Sequence, residues 1–127
     1  MTEEAKPGLR ILDIDDQEAG ILAYAIDGKI SEDDAAPIWK RFEDAKANNT
    51  KIRIYSEMSG IPSSSGAVII EKLKHLGSIM ATMERMAVVG DAGWMEVYAK
   101  IADPITKFDI RHFTTEQWDE AVAWVKE

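Results

Sequence analysis

A chain of 127 residues with an apolar share of 46% is sized for one domain with its own core, and it has no cysteine for disulfides, thiol catalysis or thiolate metal sites. The formal net charge of −8 is lopsided, with 12 acidic and 6 basic residues through Asn48 against 11 and 9 afterwards. This balance argues against nucleic acid as a partner, because a polyanion is held by clustered Lys and Arg.

Residues 1–8 are expected to form a flexible arm ahead of a single domain, with Met1 to Pro7 polar and charged. No apolar run approaches the roughly 20 residues that span a bilayer, so no transmembrane segment is expected, and a cytoplasmic location is the simplest expectation. Leu9 to Ile14 and Ile21 to Asp27 read as strands, joined by a polar connection too short for a helical crossover, and so as an antiparallel hairpin. In the second strand Leu22, Tyr24 and Ile26 share one face and the small Ala23 and Ala25 the other.

Ser31, followed by Glu32, Asp33 and Asp34, is a helix N-cap signal ahead of a stripe of Ala35, Ile38, Phe42 and Ala45. Pro37 leaves two readings open, a kinked first turn or a start near the proline itself. Ile52 and Ile54 open a third strand, and the turn-forming string from Ser59 to Gly66 leads into a helix with the stripe Ile69, Leu73, Leu76 and Met80. Met86 to Val89 lacks polar alternation, as a strand buried on both faces would. Gly90-Asp91 then turns into an amphipathic helix carrying Trp94, Val97, Tyr98, Ile101 and Ala102. Phe108, Ile110 and His112 alternate with Asp109 and Arg111, a pattern suited to a strand at or near a sheet edge. Thr114 with Gln117 is a capping box before a last helix with the stripe Trp118, Ala121, Val122 and Val125. The order is ββαβαβαβα: an α/β fold with a mixed β-sheet flanked by helices on both faces, since parallel strands need crossovers.

The strings Arg85 to Asp91, Trp94, Pro104, Ile110 to Phe113 and Ala121 to Val125 resemble the SpoIIAA-like branch of the STAS superfamily over nearly the whole chain. The resemblance implies a four- or five-stranded mixed sheet in a family largely without assigned function. STAS anti-sigma antagonists carry Asp-Ser-Ser-Gly before the second helix, with a phosphorylated serine. Ser64 matches that serine, whereas Ser63 stands where the aspartate would be.

A phosphate at a helix N-terminus would meet free amides, which makes Ser64 a candidate phosphosite, although serines at such a place also serve as simple caps. His75 and His112 have no catalytic motif around them and read as half-buried structural residues, and no metal-ligand spacing occurs, so no cofactor or metal is expected. Gly90 and Asp91 are expected at the carboxyl end of a central strand, where open α/β sheets place ligands, while Asp91 alone could be only a helix cap. Met80, Trp94 and Tyr98 would line an apolar pocket beside them. Trp124 points away from the stripe of its helix and Met95 borders the stripe of its own, and both are candidates for an interface. The expectation is a non-enzymatic regulatory or binding module. It would act through a protein partner, a second copy of itself, or a small apolar, lipid-like ligand, and the alternative is a phosphorelay switch or enzyme using Ser64 or Asp91.

Overall fold

Leu9–Ile11 (β1) and Ile21–Ile26 (β2) pair antiparallel, with Leu9 opposite Ile26 and Ile11 opposite Tyr24. The computed structural model describes residues 8–27, 29–58, 63–64, 74–91 and 109–127. Lys29–Ile30 (β3) and the helix Glu32–Ala47 (α1) follow, then Ile52–Met58 (β4), Ser63–Ser64 (β5), the helix Leu76–Thr82 (α2), Met83–Val89 (β6), Asp109–Phe113 (β7) and the helix Trp118–Lys126 (α3). The main sheet has the order β1-β2-β4-β6-β7, parallel except at β1, and β3 pairs with β5 in a separate parallel ladder. The hairpin and the edge position of the Asp109 strand are as the sequence patterns require, whereas Met86 to Val89, expected in the centre, is an inner strand next to that edge, with β4 at the centre.

Helices cover both faces. On one, α1 and α2 pack Ile38, Phe42, Ala45 and Ile79 over Leu22, Tyr24, Ile26, Ile52 and Ile54. On the other, α3 packs Ala121, Trp124 and Val125 over Ile21, Ala23, Tyr55, Ala87 and Val89. The alternation of large and small residues along β2 serves these two layers, and all six of its residues are buried.

The start of α1 is resolved in favour of Ser31. The Asp34 amide donates to Ser31 Oγ (3.1 Å) and the Ser31 amide to Asp34 Oδ2 (2.9 Å), a reciprocal cap that places Pro37 inside the helix. Asp34 Oδ2 also accepts from the Gly8 amide (3.2 Å), and Gly8 O from Asp27 (2.9 Å). Gly8, assigned by its sequence position to a flexible arm, is therefore buried within the fold. These bonds, Ser31's backbone first, hold the Asp34 carboxyl below its ordinary range.

The β1–β2 connection is pinned by charge. Asp15 accepts the Ala23 amide (2.9 Å) through one carboxylate oxygen and Arg41 Nη1 of α1 (2.7 Å) through the other, while Arg41 Nη2 donates to Ile21 O (2.9 Å). Gly20 closes the turn at φ 76°, and a Cβ there would lie 2.7 Å from Lys51 O, so both the backbone conformation and the close approach of β4 require glycine.

Two helix stripes differ from expectation. In α2, Leu76 is exposed, and the buried residues are Ser78, Ile79 and Thr82. Ser78 is tolerated there because its hydroxyl donates to Glu43 of α1 and Thr82 Oγ1 to Ser78 O (2.6 Å). In α3, Trp118 is 55% exposed while Trp124, expected off the stripe as an interface residue, is 8% exposed and part of the core. Trp124 packs against Phe113, with ring centroids 5.9 Å apart, and the guanidinium carbons of Arg85 and Arg111 lie 4.9 and 5.1 Å from its centroid. The helix is held in that rotation from its end: Arg85 Nη1 donates to Trp124 O (2.8 Å) and Arg53 Nη1 to Val125 O (3.1 Å), two carbonyls of its last turn. A register shift between β4 and β6 sets Glu84 beside Arg53, whose Nε donates to Glu84 Oε2 (3.0 Å).

Candidate functional site

The carboxyl ends of β6 and β7 are tied into one rim. The Gly90 amide donates to Phe113 O (2.9 Å), and His112 Nε2 lies 2.6 Å from Gly90 O. A carbonyl only accepts, so His112 Nε2 carries the proton and donates it, and that nitrogen has no lone pair to offer as a base. Asp91 accepts twice from Thr115, from the amide at Oδ1 (2.9 Å) and from the hydroxyl at Oδ2 (2.7 Å). It thereby caps the short 3-10 turn Thr115–Gln117 that leads into α3, whose capping box closes through the Thr114 amide donating to Gln117 Oε1 (3.0 Å).

The Thr115 bonds are the main reason the Asp91 carboxyl titrates below its ordinary value of 3.8, with the nearby His112 a lesser one. A carboxylate depressed on folding contributes stability that is full above its unfolded pKa and lost as pH falls through its folded one. Asp91→Asn leaves one Thr115 donor without an acceptor. Melting wild type and variant side by side should show the wild type more stable at pH 7 and the gap narrowing below pH 3.8. An equal gap at pH 7 and pH 3 would mean that the Asp91 charge is not what Thr115 holds.

Beneath the rim, on the face of α1 and α2, the buried pair Val88 and Ile110 is surrounded by half-buried Met58, Met80, Met83 and Met86. Each comes from a different structural demand. Met58 ends β4, Met86 takes the α1-side alternation of β6, Met80 follows Ile79 on α2, and Met83 is where that helix passes directly into the strand. Ser56 of β4 belongs to the same layer. It lies two residues before Met58 with Val88 as its β6 partner, and its hydroxyl is wholly buried without a hydrogen-bond partner among the described residues.

Of the residues expected to form a site, the structure brings Met80 to the methionine group and places Gly90 and Asp91 on the rim. Trp94, Tyr98 and Met95 lie outside the described residues. With Ser63, Ser64 forms a short strand whose backbone pairs with Lys29 and Ile30. The residues that follow Ser64, where a helix was expected, lie outside the described ones. Trp124 faces the core, as described above.

His75, at the start of α2, stacks on Trp39 with centroids 5.4 Å apart and has Nδ1 3.6 Å from Glu43 Oε1, so it joins the two helices. Glu43 is held below its ordinary range chiefly by the Ser78 hydroxyl. Among the described residues no three His, Asp or Glu side chains converge as metal ligands.

Sequence reasoning passed over Ser56, Met58, Ile110 and Thr115 as site residues. Ser56 and Met58 were recoverable in principle, since both continue the alternation of Ile52 and Ile54. The pairing of Asp91 with Thr115, 24 positions apart, has no local signal.

The SpoIIAA-like family model matches residues 21–126. An uncharacterized protein of the DUF3478 family with a SpoIIAA-like fold, from Shewanella loihica, superposes with a TM-score of 0.70 at 21% identity, covering 98% of this chain and 99% of that one, a likeness of fold. No match is found among curated proteins. No helix among the described residues is long and apolar enough to cross a membrane. With a family match over most of its length and the five-stranded mixed sheet that goes with it, the chain belongs to the SpoIIAA-like family.

Proposed function

We propose that the domain is a non-enzymatic STAS-like binding module that takes up a small apolar molecule over the sheet face bounded by Met58, Met80 and Met86, below the Gly90-Asp91 rim. The observation that carries this reading is the methionine group itself. Four unbranched, polarisable side chains, each half-buried, converge on Val88 and Ile110 near the strand ends. Methionine can rotate about three bonds and repack around a guest, whereas a close-packed layer of branched residues would resist one. Engagement of the polar rim supports a binding role over a chemical one: His112 Nε2–H is given to Gly90 O, and both Asp91 oxygens accept from Thr115.

Native mass spectrometry of the full chain purified without detergent tests the proposal. A fraction of molecules should carry extra mass that organic extraction removes, and Met86→Lys should lose it. A clean monomer with nothing extractable, which also fails to take up an added medium-chain alcohol, would overturn it.

Self-association is a second form of the same reading, favoured by the exposed indole of Trp118 at the start of α3. The same spectra would show a dimer mass that Trp118→Ala removes.

A further inference from the structure

The central strand of the sheet holds a hydroxyl that the fold itself does not use. Ser56 is wholly buried, and its Oγ finds no hydrogen-bond partner among the described residues. A buried, unsatisfied hydroxyl is destabilising, and alanine would fill nearly the same volume without that cost. Strand alternation settles where it points. Ile52, Ile54, Ser56 and Met58 alternate onto the face covered by α1 and α2, and Ser56 is flanked by Tyr24 on β2 and Val88 on β6. Val88 is one of the two buried residues around which the methionines gather. The hydroxyl therefore lies in the floor of the methionine group, with β6 between it and Ile110.

We infer that Ser56 Oγ is the polar anchor of the bound molecule, and that the ligand class is a neutral aliphatic compound with a single oxygen function, an alcohol, ketone or ester, inserted oxygen first. The inference rests on the binding reading above. A neutral oxygen can accept from or donate to one serine hydroxyl. An ionised carboxylate would find no Lys or Arg of the sheet on that layer among the described residues: His112, the β7 partner of Val88, gives its Nε2–H to Gly90 O, and Arg53, Arg85 and Arg111 alternate onto the α3 face, where they hold Glu84, the end of α3 and the Trp124 ring. A pure alkane would leave the hydroxyl as unsatisfied as before. The guest displaces the flexible methionine side chains, since Ser56 itself has no exposed surface.

The test is a titration of the full chain, carrying 13C-methyl methionine, with 1-octanol, 2-octanone, n-octane and octanoate. The Met58, Met80 and Met86 methyl signals should move with octanol and octanone at concentrations about five- to tenfold lower than with octane or octanoate, as expected for one hydrogen bond. Ser56→Ala should melt no lower than wild type and bind octanol about five- to tenfold more weakly while leaving octane unchanged. Ser56→Cys, of similar size with a weak S–H donor, should fall between them and serves if the alanine variant does not fold. If all four probes bind alike, or Ser56→Ala leaves octanol binding untouched because a buried water serves the hydroxyl, the anchor is wrong while the binding reading stands. If no methionine signal moves with any probe, the binding reading fails and the anchor with it.

Discussion

Trp124→Ala should destabilise the domain by about 3–5 kcal/mol, the cost of removing a large aromatic from a packed core, whereas Trp118→Ala should change it by less than about 0.5 kcal/mol. The two tryptophans share one short helix, and hydrophobic content alone does not separate them. Trp124 is 8% exposed, touches Phe113 and lies beside the guanidinium groups of Arg85 and Arg111, while Trp118 is 55% exposed. Removing the Trp124 ring also leaves the stems and charges of Arg85 and Arg111 without the surface they lie on, which adds to the cavity cost. Chemical denaturation of the two variants measures the contrast. Equal losses, or a larger one at Trp118, would mean that α3 is rotated relative to the sheet from the arrangement described.

Arg41→Ala should cost about 3 kcal/mol, near the lower end for breaking a buried ion pair because both side chains keep some contact with solvent. Their exposures are 15% for Arg41 and 14% for Asp15. Without the guanidinium, Asp15 keeps only the Ala23 amide as a partner, and Ile21 O loses the donor at Nη2. The damage falls on the β1–β2 connection and on the register of α1 against it. Replacing both partners, as Asp15→Leu with Arg41→Met, should recover much of the loss, since the penalty comes from an orphaned charge and not from the missing attraction. A loss under about 1 kcal/mol for Arg41→Ala would show that the pair is solvated and energetically minor. By contrast, Lys40–Asp44, an exposed pair one helical turn apart, should contribute no more than a few tenths of a kcal/mol.

Much of the architecture was legible from local pattern. The period-two segregation in Ile21 to Ile26 put large side chains on one face and small ones on the other, and Leu22 with Tyr24 meets α1 while Ala23 lies under α3. Thr114 with Gln117 marked a helix start where it occurs, because a cap is made within four residues of chain, while the choice between Ser31 and Pro37 for α1 took the observed reciprocal cap of Ser31 and Asp34. At the candidate site the rim was legible, since Gly90 and Asp91 follow an uninterrupted apolar strand, but its wiring was not. Thr115 and His112 reach Asp91 and Gly90 only because β7 lies beside β6, and order along the sheet is a property of pairing and not of either strand's sequence.

The amino-acid order was sufficient for the five strands of the main sheet, the hairpin, the Thr114 cap and the assignment to a SpoIIAA-like fold, because these follow from hydrophobic period and from contacts between near neighbours. Which side of a helix goes inward did not follow. Trp118 and Trp124 changed places, Leu76 gave way to Ser78, and Arg53 and Arg85 left solvent to close the end of α3, each settled by partners far along the chain. A helical stripe specifies a face only to within a turn's width, and the final rotation is chosen by whatever cations, hydroxyls and cavities the sheet presents to it once assembled.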